Sequence, residues 1–150
     1  MSLVSVMEIK KAALSEAKII AGLAIQMWDS HTVEELELDF EGHIKLGGAV
    51  FLAWNSDEAI GFAQCGLRHD YVEGTDSSPV GYLEGVFVTS EYRRQGIAKM
   101  LLLACQNWAK EQGCVEFASD CELTNEESLR FHLNMGFEEA NRIICFTKKL

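Results

Sequence analysis

The residues best suited to chemistry lie in the segment 86–98, where an apolar strand ends, a basic turn follows and a glycine precedes a helix. Three basic side chains concentrate positive charge in this part of the chain: Arg93, Arg94 and Lys99. Backbone N–H groups at a helix N-terminus lack intrahelical partners and carry partial positive charge, so they bind anions. Gly96 and the small Ala98 let the backbone approach a phosphate closely. The segment therefore predicts a pyrophosphate cradle.

A plain strand-to-helix connection with surface arginines is the alternative interpretation of this segment. Basic residues before a helix N-terminus oppose the helix dipole, so a plain connection would not favour them. The phosphate interpretation explains both the charge and the glycine, and we prefer it.

The elements around the cradle indicate a single α/β domain over residues 1–150, in which 48% of the residues are hydrophobic. Apolar patterning predicts strands at 49–54, 59–67, 82–88, 114–119 and 142–148. It predicts helices at 14–27, from 32, at 97–110 and from 124. Thr32 with Glu35, and Thr124 with Glu127, are expected to form capping boxes. This order predicts a mixed sheet with helices on both faces.

The net charge limits the classes of binding partner. The chain has 23 acidic and 13 basic residues, which give a net charge of −10. Such a field repels nucleic acid and anionic membranes and attracts cations. The charge either keeps a cytoplasmic protein soluble or serves a polycationic substrate, and composition leaves both open. The sequence contains no stretch of about 18 apolar residues, so we predict no transmembrane helix.

The five cysteines have no C-x-x-C spacing, and most lie beside apolar residues, so we interpret most of them as small core residues of a cytoplasmic protein and expect no metal site. A nucleophilic cysteine is the alternative interpretation. We interpret residues 1–6 as a leader or variable extension before a native start at Met7.

Two motifs resemble the GNAT superfamily of N-acetyltransferases, and the resemblance covers residues 7–150. Arg93-x-x-Gly96-x-Ala98 is similar to the Q/R-x-x-G-x-G/A element that binds the pyrophosphate of acetyl-CoA. Asn125, Phe131-His132 and Gly136-Phe137 are similar to its N-x-x-A-x-x-[LF]-Y-x-x-x-G-F element. The resemblance implies the GNAT fold, which has a mixed, mostly antiparallel sheet and a splayed strand pair at the acetyl-CoA site.

Acetyl-CoA is the co-substrate that the resemblance implies, and no metal is needed. Val86 and Val88 would pair with its pantetheine arm through the backbone, and Asn125 would hydrogen-bond that arm. A backbone N–H near Phe87 or Val88 would stabilise the oxyanion. The expected cofactor-binding residues are Val86, Phe87, Val88, Arg93, Arg94, Gln95, Gly96, Ile97, Ala98, Lys99 and Asn125.

His132 stands where the superfamily often has a tyrosine that acts as general acid. A histidine could protonate the leaving thiolate, because it titrates near neutral pH. It could equally be a packed helix residue, so both interpretations stay open.

Four further patterns resemble the aminoglycoside 6'-N-acetyltransferases: Met27-Trp28, the loop 68–79, the strand 83–88 and Ala118-Ser119-Asp120. That resemblance implies acetylation of an aminoglycoside 6'-amine, an antibiotic-resistance activity, by a homodimer. Two other functions stay open: acetylation of another amine, and a non-catalytic acyl-CoA-binding module. The final strand of that family often ends near an aromatic hydroxyl, and here the corresponding residue is Phe146.

A polycationic substrate needs carboxylates, and Glu84 and Asp120 are the expected anchors. Glu84 lies in an otherwise apolar strand, where a charge is costly unless it has a task, and we expect it to act as base through water. Trp28 and Tyr71 could stack on sugar rings. The alternatives are an exposed strand residue for Glu84, a loop cap for Asp120 and a core position for Trp28.

Overall fold

The computed structural model describes residues 7–150, so the interpretation of residues 1–6 lies outside the described residues. Five strands form one sheet in the order β1-β2-β3-β4-β5. Their bounds are Met7–Lys11 (β1), Ala49–Asn55 (β2), Glu58–Arg68 (β3), Val80–Val88 (β4) and Phe117–Ser119 (β5). The pairs β1–β2, β2–β3 and β3–β4 are antiparallel, whereas the pair β4–β5 is parallel. The sheet is therefore mixed and mostly antiparallel, as the resemblance implied.

Helices cover both faces of the sheet, as expected. Their bounds are Ala17–Ala24 (α1), Val33–Lys45 (α2), Ile97–Glu111 (α3) and Glu126–Asn134 (α4). One core joins α1 and α2 to side chains such as Leu52 and Phe62 on one face. The other core joins α3 to Ala63 and Cys65 on the opposite face, and α4 contributes the partly buried Phe131 to it. Period-two alternation along the strands places these two sets of side chains on opposite faces.

The helices α2 and α4 begin at residues that their capping signals predict, except that the predicted N-cap of α4 is displaced by one residue. Thr32 and Glu35 form the expected capping box, in which the Thr32 Oγ1 accepts from the Glu35 N–H at 3.1 Å. Asn125, rather than Thr124, caps α4, and its Oδ1 accepts from the Ser128 N–H at 3.0 Å. Asn and Thr are both good N-caps, so the choice between adjacent candidates depends on where the chain turns into the helix.

The prediction of a last strand at 142–148 is wrong for the single chain, because residues 138–150 form no helix or strand and all are exposed. A strand requires a neighbour with which its backbone groups can pair, and in the single chain no strand within residues 7–150 pairs with this segment. The strand β1 was not predicted: it is a short edge strand with three charged residues among its five. The helix expected at 14–27 is a 3-10 turn at Leu14–Glu16 followed by α1.

Candidate active site

The strands β4 and β5 separate beside the predicted cradle. They pair only at Gly81–Phe117, Tyr82–Ala118 and Leu83–Ser119, whereas β4 continues to Val88. The edge of β4 that faces away from β3 is consequently open beyond Leu83, and its backbone groups are available to an extended ligand. This is the splayed strand pair that the resemblance implied.

A β-bulge lies at the point of separation. Gln64 faces Gly85 and Cys65 faces Leu83, so Glu84 is the additional residue of β4. Bulges redirect side chains, and the Glu84 side chain is accordingly exposed although its strand is mostly buried. Gly85 is packed against Trp28, because a Cβ on Gly85 would lie 2.8 Å from Trp28 Cζ2. Trp28 is half-buried next to Phe40 and Phe62, so it is partly a core residue, as its alternative interpretation held.

The turn before α3 has the shape of an anion site. Arg94 and Gly96 both have positive φ, at 63° and 79°, and Gly96 caps the helix in the left-handed conformation. No atom lies within 4 Å of a Cβ built on Gly96, so the space in front of the helix N-terminus is open. This turn and the first turn of α3 expose the side chains of Arg93, Arg94, Gln95 and Lys99, and the preceding 3-10 turn exposes Glu91. The conformation and the charge together fit a pyrophosphate group.

Two of the expected cofactor residues also serve the fold. The Arg93 Nε donates to the Val88 carbonyl oxygen at 2.9 Å, and its guanidinium lies 5.7 Å from the Phe87 ring centroid. Arg93 therefore ties the turn to the end of β4. Ile97 is buried, so only its backbone N–H can face a phosphate.

His132 has a hydrogen-bond arrangement that accommodates two charge states. Its Nδ1 lies 2.7 Å from the Ser128 carbonyl oxygen, an acceptor, so Nδ1 carries a proton. Its Nε2 lies 2.8 Å from Ser119 Oγ, which lies 3.2 Å from the Leu83 carbonyl oxygen. With a neutral ring, Ser119 donates to Nε2. With a charged ring, Nε2 donates to Ser119, and Ser119 donates to Leu83. Rotation of one hydroxyl therefore satisfies both states, and Leu83 lies at the point where the strands separate.

Glu84 and Asp120 are connected by two residues to which the sequence analysis gave no role. The Arg68 Nη2 contacts both Glu84 carboxylate oxygens, at 2.8 and 3.1 Å. The Arg68 guanidinium carbon lies 3.8 Å from the Tyr82 ring centroid, and the Tyr82 hydroxyl donates to Asp120. Burial and the bond to Asp120 raise the pKa of the Tyr82 hydroxyl, so it stays protonated and donates. Partial burial acts to lower the pKa of Arg68, but the hydrogen bond and charge of Glu84 outweigh it and raise that pKa.

Tyr71 is exposed on the loop 69–79, and its hydroxyl donates to Glu73 at 2.7 Å. Glu116 holds the base of this loop by accepting from the backbone N–H groups of Asp76 and Ser77, both at 2.9 Å. The loop, β5 and α4 border a groove of about 680 Å³ that contains Tyr82, Ser119, Asp120 and His132. Asp120 and His132 thus line the groove, and Glu84 is linked to Asp120 through Arg68 and Tyr82. Tyr71 lies on the loop that borders the groove.

Two absences apply to the described part of the chain. Between residues 7 and 150, no group of three or more His, Cys, Asp or Glu side chains is arranged to hold a metal ion. Over the same range, no helix has the length and apolarity needed to cross a bilayer.

A mixed sheet, a splayed parallel strand pair and a glycine turn at a helix N-terminus are the features that the resemblance to the N-acetyltransferases implied. The chain belongs to the acetyltransferase (GNAT) family, whose sequence profile matches residues 11–137. It is 39% identical to the aminoglycoside N(6')-acetyltransferase type 1 of Salmonella enteritidis over 148 residues, which cover 95% of this chain and 99% of that protein. It is 35% identical to the enzyme of that name from Acinetobacter haemolyticus, over 96% of this chain and 99% of that protein.

Solved structures that resemble this chain also include aminoglycoside N-acetyltransferases. Aminoglycoside N-acetyltransferase AAC(6')-Iy in complex with CoA matches with a TM-score of 0.92 and 39% identity, over 96% of this chain and 95% of that one. AAC(6')-Iy in complex with the bisubstrate analogue CoA-S-monomethyl-acetylneamine matches with a TM-score of 0.89 and 40% identity, over 96% and 99%.

Proposed function

We propose that this chain transfers the acetyl group of acetyl-CoA to the 6'-amine of an aminoglycoside, an activity that confers antibiotic resistance. The names of its relatives point to this substrate, and the observation that carries the proposal in this chain is the pair of carboxylates beside the splayed strands. Glu84 and Asp120 offer anionic oxygens to a polycation at the edge where β4 and β5 separate.

The cradle and the open edge of β4 are where acetyl-CoA would bind. The N–H groups at the start of α3 and the charges of Arg94 and Lys99 suit its pyrophosphate, and Val86 and Val88 offer backbone groups to its pantetheine arm. Asn125 Oδ1 is used in capping α4, so its Nδ2 remains to donate. Acetyl-CoA supplies the activated acetyl group, and the remaining roles fall to backbone and side-chain groups of this chain.

Glu84 would accept the proton of the substrate ammonium through water, because that group must become a free amine before it can attack. A backbone N–H near Phe87 or Val88 would stabilise the negative charge that develops on the acetyl oxygen. His132 would supply a proton to the thiolate, and both of its ring nitrogens keep a hydrogen-bond partner in the charged and in the neutral state. Trp28, against Gly85, and Tyr71, on the loop, would contact the sugar rings.

Kanamycin and paromomycin test the proposal directly, because kanamycin has an amine at the 6' position and paromomycin has a hydroxyl there. We expect rapid acetylation of kanamycin and far slower turnover of paromomycin, because a hydroxyl is a weaker nucleophile than a free amine. Paromomycin should still bind and inhibit competitively, since both compounds present many ammonium groups to the acidic site. A steady-state assay of CoA release measures both rates.

Equal rates on the two compounds would place the reaction at an amine that they share. Rapid acetylation of spermidine or a peptide, with no turnover of either drug, would reject the aminoglycoside proposal. CoA binding without turnover of any amine would favour an acyl-CoA-binding module.

We also propose that the chain is a single domain that forms a homodimer in the cytoplasm. All five strands belong to one sheet, and Cys65, Cys105 and Cys114 are buried core thiols of a kind that persists in reducing compartments. The surface of α4 and residues 138–150 supports the dimer. α4 has no fully buried residue, and Ile143, Ile144 and Phe146 are 68%, 77% and 87% exposed. Exposed apolar surface of this kind marks interaction sites, and the edge strand β5 borders the same groove as α4 and residues 138–143.

Phe146→Glu is expected to convert the dimer to a monomer, because it places a charge in an apolar interface. Light scattering should then report about one chain of 16.7 kDa instead of two. Leu46→Glu is the matched control: Leu46 is 90% exposed, but it follows α2 on the other face of the sheet. A monomeric wild-type protein, or dissociation by Leu46→Glu alone, would contradict the assignment of this surface.

A further inference from the structure

We propose that Arg68 is an internal competitor for the substrate's ammonium group, holding Glu84 in the free enzyme and leaving it when the substrate binds. The proposal rests on the proposed function and adds to it a residue that sets the affinity for cationic substrates. A single guanidinium contacts both oxygens of Glu84, the proposed base, and stacks on the ring of Tyr82, which is hydrogen-bonded to Asp120.

Arg68 uses the same chemical groups that an ammonium ion would need. A primary ammonium binds best where a carboxylate accepts its protons and an aromatic face lies against its charge. Glu84 and Tyr82 provide these two groups, and Arg68 already contacts both. Arg68 occupies one acceptor site on each Glu84 oxygen and one face of the Tyr82 ring, so a substrate ammonium that takes up both groups must displace Arg68.

Local charge supports the same conclusion. Arg68, Glu84 and Asp120 together carry a formal charge of −1, and without the contribution of Arg68 the two carboxylates present −2. A substrate with several ammonium groups matches the second value better. Displacing Arg68 thus exposes a site with more negative charge.

The Arg68–Glu84 pair is accessible enough to be exchanged. Its side chains are 44% and 30% exposed, and water screens an ion pair of that exposure. Arg68 is also the last residue of β3, so its side chain can swing toward solvent without disturbing the sheet core. When a ligand must displace a bound group, its apparent affinity is the intrinsic affinity multiplied by the fraction of molecules in which the site is free. For one exposed ion pair and one cation–π contact, we expect that loss to be about tenfold.

Arg68→Gln tests the inference, because it removes the charge and keeps a side chain of similar polarity. Calorimetric titration with kanamycin should give a dissociation constant about tenfold lower than that of the wild type. Arg68→Lys, which keeps the charge but loses the planar guanidinium that stacks on Tyr82, should give a smaller decrease. Lys10→Gln is the matched control, since it removes one positive charge from an exposed ion pair with Glu8 on β1, at the far edge of the sheet. It should leave the dissociation constant within about twofold of wild type.

An unchanged or higher dissociation constant in both Arg68 variants would overturn the inference and make Arg68 a residue that positions Glu84. An equal decrease in Lys10→Gln would also overturn it, because the effect would then reflect net charge alone. The proposed function fails separately, when the wild type does not acetylate kanamycin. Kanamycin binding that becomes measurable only in Arg68→Gln would still support the inference, and binding in neither protein would contradict it. Circular dichroism excludes misfolding, and Arg68→Lys keeps the test open if Arg68→Gln does not fold.

Discussion

Replacing Glu84 with Gln is expected to lower kcat for kanamycin by a factor of about 10² or more, which corresponds to about 2.7 kcal/mol in activation free energy. The amide keeps the size of the side chain but cannot accept the proton of the substrate ammonium. Affinity for acetyl-CoA should change little, because the pyrophosphate cradle lies beyond the far end of β4. Steady-state kinetics gives kcat, and calorimetry with CoA gives the affinity.

The matched control is Glu8→Gln, which removes a carboxylate of another exposed ion pair on β1 and should leave kcat unchanged. The same assays on His132→Gln test the proposed acid, whose loss should reduce kcat more than it reduces CoA affinity. Wild-type kcat in Glu84→Gln would refute its role as base. A lost circular dichroism signal would show instead that Glu84 is needed for the fold, since the bulge and the Arg68 pair depend on it.

Gly96→Val is expected to weaken CoA binding by tenfold or more while most of the fold remains. Gly96 has a φ of 79°, a conformation that costs an L-residue roughly 1–2 kcal/mol and a β-branched residue more. The turn would relax toward negative φ, and the N–H groups at the start of α3 would no longer point together at the pyrophosphate. A tenfold change in the dissociation constant corresponds to about 1.4 kcal/mol, so the strain alone can account for it.

Gly113→Val is the control for strain without loss of the anion site. Gly113 follows the other end of α3, has a φ of 93° and, like Gly96, has no atom within 4 Å of a built Cβ. Both variants should lose thermal stability by similar amounts, but only Gly96→Val should lose CoA affinity. Equal CoA affinity in the wild type and Gly96→Val would refute the assignment of the turn to the pyrophosphate.

The sequence predicted those parts of the site in which the signal is local. The strand, basic turn, glycine and helix of the cradle are contiguous, so the helix N-terminus and its anion site could be inferred from residues 86–98 alone. The capping box at Thr32 and the end of α4 near Gly136 are local in the same way. The fold class followed from the order of the elements, and family resemblance supplied the splay between β4 and β5, which the structure confirms.

The last strand shows where local patterning is insufficient. The residues 142–148 have the composition of a strand, but backbone hydrogen bonds to a neighbouring strand are what make a strand stable. In the single chain this segment is exposed and unpaired. β1 shows the converse, because its charged sequence gives a weak strand signal and its pairing with β2 nevertheless forms it.

The side-chain contacts of the site were decided by tertiary structure alone. Arg68 and Glu84 are 16 residues apart, Tyr82 and Asp120 are 38 apart, and Ser119 and His132 are 13 apart. The sequence identified Glu84, Asp120 and His132 as chemically capable, but it did not show which residues hold them. The bulge in β4 and the termination of β5 pairing at Ser119 bring those partners together, and both depend on how distant strands align. Local sequence determines which groups can react, whereas strand register determines what they contact, because register is set by packing across the whole sheet.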